Sequence, residues 1–405
     1  MTLSARQDGL IRPSGMADSR DDNRSVGELT GGMSEQNAQR AAADSAASAA
    51  GELADRLIES LAPALELLTI EFGRRLGLYE AVLARGSVDP LELSQAAGIH
   101  RRVAREWLEQ QTAAGLLDVD DAAAEPDRRR FMLPPGHAAV LLEPESPAYA
   151  MGAATMFSGT ASAFEAVVAA AATGEGVSYG TFGAGVRHGL QQLNRPGFVS
   201  DLDDWLAWMP DITERLRDGG LILDLGCGTG WSSVALARLF PRAQVVGVDL
   251  DDASIAEARL LAAELGLGGR LRFENADATD RRQLAALTGA PVDLVTIFEA
   301  LHDMNEPRQA LEAARAVLAE TGAVLVGDER VAEAFGSRGD FLERLNYAFS
   351  VLHCLPATMA EGTGTANGTV LRPSTVRAWA ADAGFVNTTV LGIEHPFWRF
   401  YRMDG

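Results

Sequence analysis

Residues 221–230 read LILDLGCGTG. An apolar run carrying one acid, Asp224, leads into glycines at 226, 228 and 230. A short apolar run closed by glycines reads as a buried strand and a tight turn. Glycines let the backbone approach a ligand closely, and a helix that follows offers its first amides. Several adenosine-bearing cofactors bind at loops of this kind, and the loop alone does not choose among them. The dinucleotide spacing GxGxxG requires glycine at 231, where Trp231 stands. The 35 basic residues are all arginine. Without lysine there is no phosphate-loop lysine, no Schiff-base lysine and no lysine general base.

Downstream of the loop the pattern repeats strand, loop and helix. Strands are expected at 221–225, 244–249, 270–274, 292–298 and 322–327. Helices are expected at 231–240, 253–266, 281–288, 307–319 and 374–384. The stretches 387–392 and 396–403 read as a terminal hairpin. This alternation predicts an α/β fold with a doubly wound parallel sheet, whose ligands lie beyond the carboxyl ends of the strands. Residues just after each strand therefore carry the information. After the second strand stands Asp249, followed by Leu250, in VVGVDLD. A carboxylate there accepts hydrogen bonds from both hydroxyls of a ribose. After the third stands Asp277, followed by Ala278, in FENADATD, where a carboxylate reaches an adenine amino group or serves as a turn residue.

Together, LDLGCGTG, VVGVDLD, ENADATD and VDLVTIFEALHDM resemble the successive motifs of class I S-adenosylmethionine-dependent methyltransferases. The resemblance covers about 220–403. It implies a Rossmann-like seven-stranded sheet with its last strand antiparallel. It implies S-adenosylmethionine as cofactor, with S-adenosylhomocysteine as product. By the same resemblance Asp224, Gly226, Gly228 and Gly230 hold the methionine part. Asp249 and Leu250 then hold the ribose, Asp277 and Ala278 the adenine end, and Phe298 and Glu299 the methyl-donor side. The whole chain is similar to bacterial and plant O-methyltransferases with an N-terminal winged-helix dimerisation domain. LHDMNEP resembles their HDW-D segment, which carries the role of general base to His302, with Asp303 beside it. Met304 departs from that segment's tryptophan, and the insertion 329–373 departs in length, so the acceptor pocket is not copied from those relatives. Histidine titrates close enough to neutrality to take a hydroxyl proton; the other reading of His302 is a residue that orients its loop. Tyr179, Tyr347 and His353 are further candidates for lining the acceptor site. Arg187 and His188 are expected to face an acidic substrate or, more simply, solvent.

The N-terminal half has a different texture. Residues 1–35 mix Gly, Ser, Asp and Arg without apolar periodicity and read as a disordered tail. The alanine-rich stretch 36–55 reads as helical or frayed. Within 36–142, three helical segments and a β-ribbon give a winged-helix outline, and 143–218 reads as a helical connector to the domain 219–405. A winged helix docks in DNA or serves as a dimerisation module. Between 101 and 130 seven acids oppose six arginines, and the formal net charge of the chain is -21. Both favour a homodimer with a small-molecule acceptor, and neither favours nucleic acid or an anionic membrane. FEALHD stands where base-modifying enzymes carry [NDS]PP[YFW]. Two distant cysteines and no apolar run of the ~20 residues a bilayer requires lead to the expectation of a cytoplasmic protein without a metal site. Methyl transfer to oxygen is the leading reaction, in keeping with bacterial secondary metabolism. Transfer to N, C or S, a nucleic-acid enzyme, and a non-methylating use of the fold are the alternatives.

Overall fold

The computed structural model describes residues 26–405 except Thr363. The chain forms two units, residues 1–64 and 65–405. In the first, one helix spans Val26–Glu59. Residues 1–25 of the expected tail lie outside the described residues, but 26–35 are helical rather than tail. Extending an existing helix costs far less than nucleating one, and no proline interrupts this stretch. Among the described residues no single helix is long and apolar enough to cross a membrane.

The second unit begins within helix Leu61–Arg75, the first helix of the winged-helix region. Helices Leu61–Arg75, Leu78–Arg85, Pro90–Ala97 and Arg101–Ala113 precede a small ribbon of β1 (Asp118–Val119) and β2 (Phe131–Met132). Asp89 starts the third helix with a reciprocal capping box to Glu92. Tyr79, Leu93, Trp107, Leu108 and Phe131 form the buried core. Gly73 lies so close to Trp107 that an added Cβ would sit 2.5 Å from the indole.

The main sheet has seven strands: β3 (Leu221–Leu225), β4 (Gln244–Asp249), β5 (Leu271–Asn275), β6 (Val292–Phe298), β7 (Leu318–Glu329), β8 (Asn387–Val390) and β9 (Trp398–Asp404). Their spatial order is β5-β4-β3-β6-β7-β9-β8. All pairings are parallel except those of the last strand, β9, with β7 and β8. The continuous apolar runs of β3, β4 and β6 suit strands covered on both faces. Ile222, Val245 and Leu294 belong to one core layer; Leu223, Val246 and Val295 belong to the other. From β3 the chain runs outward to β4 and β5, then crosses back to β6 on the other side of β3, and this reversal opens a crevice at the carboxyl end of β3.

The connector brings a second wall to that crevice. Helix Met151–Ser162 crosses helix Tyr179–Ser200 at glycines. An added Cβ at Gly159 would lie 2.5 Å from the Gly185 carbonyl carbon, and one at Gly189 would lie 2.6 Å from Met156 Cα. Backbone meets backbone here, so neither helix has a flexible side chain to give way. Gly189→Ala should therefore cost about 1–3 kcal/mol through overpacking, read as a lower thermal midpoint; an unchanged midpoint would show that the crossing is looser than described.

Candidate functional site: a cleft at the carboxyl ends of four parallel strands

A cavity of about 480 Å³ opens where β3, β4, β5 and β6 end, with the connector helix Tyr179–Ser200 along its other side. The three loop glycines all have positive φ: 71° at Gly226, 50° at Gly228 and 89° at Gly230. They differ in surroundings. A Cβ at Gly226 would collide with Ala300 at 2.4 Å, and one at Gly230 with Phe273 at 2.5 Å. At Gly228 it would meet nothing within 4 Å. The outer two glycines thus permit packing, while the middle one leaves backbone bare toward the cavity. Gly228 N–H donates to Asp249 Oδ2 (2.8 Å), and Asp251 N–H donates to Asp249 Oδ1 (2.9 Å). Burial pushes the Asp249 carboxyl up from its ordinary range, and those two amides partly offset it.

Leu250, Asp277, Ala278, Phe298 and Glu299 also line the cavity. The Asp277 carboxylate accepts from Thr279 N–H (2.8 Å) and its hydroxyl (2.7 Å), so it holds its own turn as well as facing the cleft. Phe298 stacks on Trp398, ring centres 6.1 Å apart and 13° between planes. Glu299 has a left-handed φ of 50°, a strained setting for a residue with a side chain. The Asn194 amide, from the connector helix, donates to it. Burial raises both the Glu299 and Glu329 carboxyls, and Glu329 is pushed further by the neighbouring Glu299 charge.

Asp224 departs from expectation. It is 1% exposed and does not line the cavity. Its oxygens accept from the hydroxyls of Ser232 (2.6 Å), Ser233 (2.6 Å) and Thr296 (2.7 Å). The acid faces inward and ties strand β3 to the following helix and to β6, away from the cavity.

Beyond β6, a 3-10 turn Leu301–Asp303 carries His302, which is 2% exposed. Its Nδ1 lies 2.8 Å from Asp328 Oδ1, and its backbone N–H donates to Asp328 Oδ2 at 3.2 Å. Its Nε2 lies 3.2 Å from Asp303 Oδ1, an ionic contact without the alignment of a hydrogen bond. Burial alone would lower the imidazole pKa; Asp303 and Asp328 outweigh it and hold the ring well above its ordinary value. His302 itself does not line the cavity, whereas Asp303 does. Asp328 was not singled out from sequence. It ends β7, so reading the residues after every strand, the fifth included, would have found it.

Of the other candidates, Tyr179 lines the cavity and the remaining two do not. Tyr347 turns to Arg372, whose Nη2 donates to its hydroxyl at 3.1 Å, and to the exposed ring of Phe335. His353 is 1% exposed and wedged edge-on against Phe182 (4.5 Å) and Tyr179 (5.7 Å). The insertion forms helix Phe341–Phe349, a π-helical turn Ser350–Cys354 and helix Leu355–Glu361. That π turn keeps His353 inside the packing. It also brings Cys354 near His302 and Asp303, with ligand-type atoms of all three within 4.8 Å of one another. Burial pushes the Cys354 thiol up to about 12.

Residues 216–361 match the family model described as a methyltransferase domain, and residues 64–143 match an Rv2258c-like winged HTH domain. The ubiquinone biosynthesis O-methyltransferase of Stutzerimonas stutzeri is 30% identical over 193 residues, 46% of this chain and 73% of that protein. The enzyme of the same name from Leptothrix cholodnii is 30% identical over 197 residues, 48% and 77% of the two chains. Human N-acetylserotonin methyltransferase, solved with S-adenosylmethionine, has a similar fold: TM-score 0.63 at 16% identity, over 87% of this chain and 98% of that one. An O-methyltransferase structure from Nostoc punctiforme gives 0.61 at 17%, over 86% and 98%. The chain belongs to the class I S-adenosylmethionine-dependent methyltransferases, in the form that carries an N-terminal winged-helix domain. S-adenosylmethionine is its cofactor, and the open backbone at Gly228 beside Asp249 fits a nucleoside that carries an amino-acid tail.

The two acids make opposite predictions. Asp224→Asn should lower the thermal midpoint, because it disturbs three buried hydroxyl partners at about 1–3 kcal/mol for each one left unsatisfied. Asp249→Ala should keep the fold and weaken S-adenosylhomocysteine binding in calorimetry. The reverse pattern would exchange their roles.

Proposed function

We propose that this protein moves the methyl group of S-adenosylmethionine to a hydroxyl of a small molecule, with His302 as general base. The observation that carries this reading is the Asp303–His302–Asp328 arrangement at the edge of the donor cavity. Bound S-adenosylmethionine supplies a methyl group already activated as a sulfonium. The protein's share is to place the acceptor in line, exclude water and receive one proton. Gly226, Gly228, Asp249, Leu250, Asp277, Ala278, Phe298 and Glu299 hold the donor, while Gly230, which does not line the cavity, lets the loop pack against Phe273; Tyr179 lines the acceptor side. Asp328 fixes the imidazole through Nδ1, which leaves Nε2 to take the hydroxyl proton. Asp303 stabilises the imidazolium that results and steadies the incoming hydroxyl.

The winged-helix region supports a small-molecule acceptor over DNA. Arg101 and Arg105 face Asp127, at 2.9 and 3.7 Å, and Arg102 pairs with Glu106. Arg129 pairs with Glu109 (2.7 Å) and Arg130 with Glu92 (3.0 Å). Five of the six arginines in 101–130 are thus neutralised within the region. We also infer a homodimer made through the N-terminal part of the chain, where Leu53, Leu57, Ile58 and Leu61 are exposed. Leu57→Asp with Ile58→Asp should shift the mass in light scattering from dimer to monomer; a dimer that persists would move the interface elsewhere.

The pH dependence follows from the raised imidazole pKa. Below it His302 is the imidazolium and has no lone pair to offer. The rate should therefore rise with pH and level off above an inflection higher than the ordinary 6.5. Asp328→Asn removes one of the two carboxylates that hold the charge, so the inflection should move to lower pH. His302→Ala should cut kcat by about 10²-fold or more while leaving S-adenosylhomocysteine affinity unchanged. A flat profile in an active enzyme, or an alanine variant with full turnover, would remove His302 from the base role.

A further inference from the structure

The helix Tyr179–Ser200 is not solvated along the segment that carries Arg187. The Arg187 side chain is 12% exposed and lines the donor cavity. Its Nε donates to Glu257 Oε1 at 3.0 Å, and its Nη1 stands 3.5 Å from Asp251 Oδ2. Both acids belong to the helix after β4: Asp251 is its N-cap, accepting from Ser254 N–H at 2.9 Å, and Glu257 lies six residues further on. Asp251 is also the residue whose backbone N–H fixes Asp249, and Asp249 in turn receives Gly228 N–H. One continuous set of contacts thus runs from Arg187 through Asp251 and Asp249 to the bare backbone of the glycine loop.

The helix breaks just upstream of this segment and is held again beyond it. At Gly183 the backbone leaves the helical region (φ 64°, ψ −163°), four residues before Arg187. Beyond Arg187, Asn194 donates to Glu299 on the opposite side of the cavity. His188 adds a second contact to Glu257, Nε2 to Oε2 at 3.0 Å. The helix is therefore fastened on both flanks of the cleft, with a break in its backbone just upstream. An arginine whose fork meets two carboxylates is a directional fastening that a lysine reproduces only in part.

We propose that Arg187 is a positioning residue that latches this helix over the donor site through Asp251 and Glu257. It sets how tightly S-adenosylmethionine and S-adenosylhomocysteine are held, and leaves the methyl-transfer step itself untouched. The inference rests on the donor site, not on His302 or on the acceptor, and it is tested without any acceptor. Calorimetry and stopped-flow binding of S-adenosylmethionine and S-adenosylhomocysteine are to be compared for wild type, Arg187→Gln, Arg187→Lys and Glu257→Gln. Arg187→Gln is expected to weaken both ligands about tenfold, mainly through faster dissociation. Arg187→Lys should recover part of that loss. Glu257→Gln removes the same ion pair from the other helix and should shift affinity in the same direction, so it decides the matter if Arg187→Gln fails to fold. Combining Arg187→Gln with Glu257→Gln should add less than the product of the single effects. Ligand affinities within twofold of wild type in Arg187→Gln, or in Glu257→Gln if that is the variant that folds, would overturn the latch. So would a lowered thermal midpoint with unchanged dissociation rates.

Discussion

The Asp224 carboxylate is the interaction on which the donor site depends. It is buried at the end of β3 and satisfied by three hydroxyls, from Ser232, Ser233 and Thr296. Two of those hydroxyls lie in the first turn of the helix that follows the glycine loop; the third lies on β6. A buried acid without such partners would be costly, and burial does push its pKa up, against the pull of the hydroxyls. With them it pins the strand before the loop and the helix after it. The loop between has little freedom left, and Gly228 presents its backbone to the cavity in one arrangement. Asp249 then grips that backbone from the neighbouring strand.

On this frame two groups of acids stand at different strand ends. Asp249 and Asp277 stand at the ends of β4 and β5 and face the cleft from the donor side. Asp303 and Asp328 surround one imidazole at the ends of β6 and β7. The connector helix closes the space between, held to the donor side at Arg187 and to the β6 end at Asn194. That helix owes its position to the glycine crossing with Met151–Ser162, so the distance between the two functional groups depends on backbone packing remote from the chemistry.

The sheet was legible because its strands are apolar runs bounded by glycine, proline and acids. The expected strands 221–225, 244–249 and 292–298 coincide with β3, β4 and β6. The expected 322–327 is shorter than β7, because Leu318 also pairs with Val292 across an irregular register that no sequence pattern announces. The rule of strand ends brings Gly228, Asp249 and Glu299 to the cavity, and all three line it. The same rule misplaced Asp224, whose orientation is decided by serines eight and nine residues away. Tyr347 and His353 were placed by proximity in sequence, but the π turn and the Arg372 contact set their directions. Arg187 looked like a solvated charge because its partners lie about 70 residues downstream, and only the packed connector brings them together.

A crystal structure with S-adenosylhomocysteine bound tests the central claim most directly. Both Asp249 oxygens are expected within about 3 Å of the ribose hydroxyls, with the methionine portion against Gly228 and the sulfur directed toward the side of the cleft walled by Asp303. A nucleoside whose ribose lies away from Asp249, or a sulfur directed away from Asp303, would contradict it.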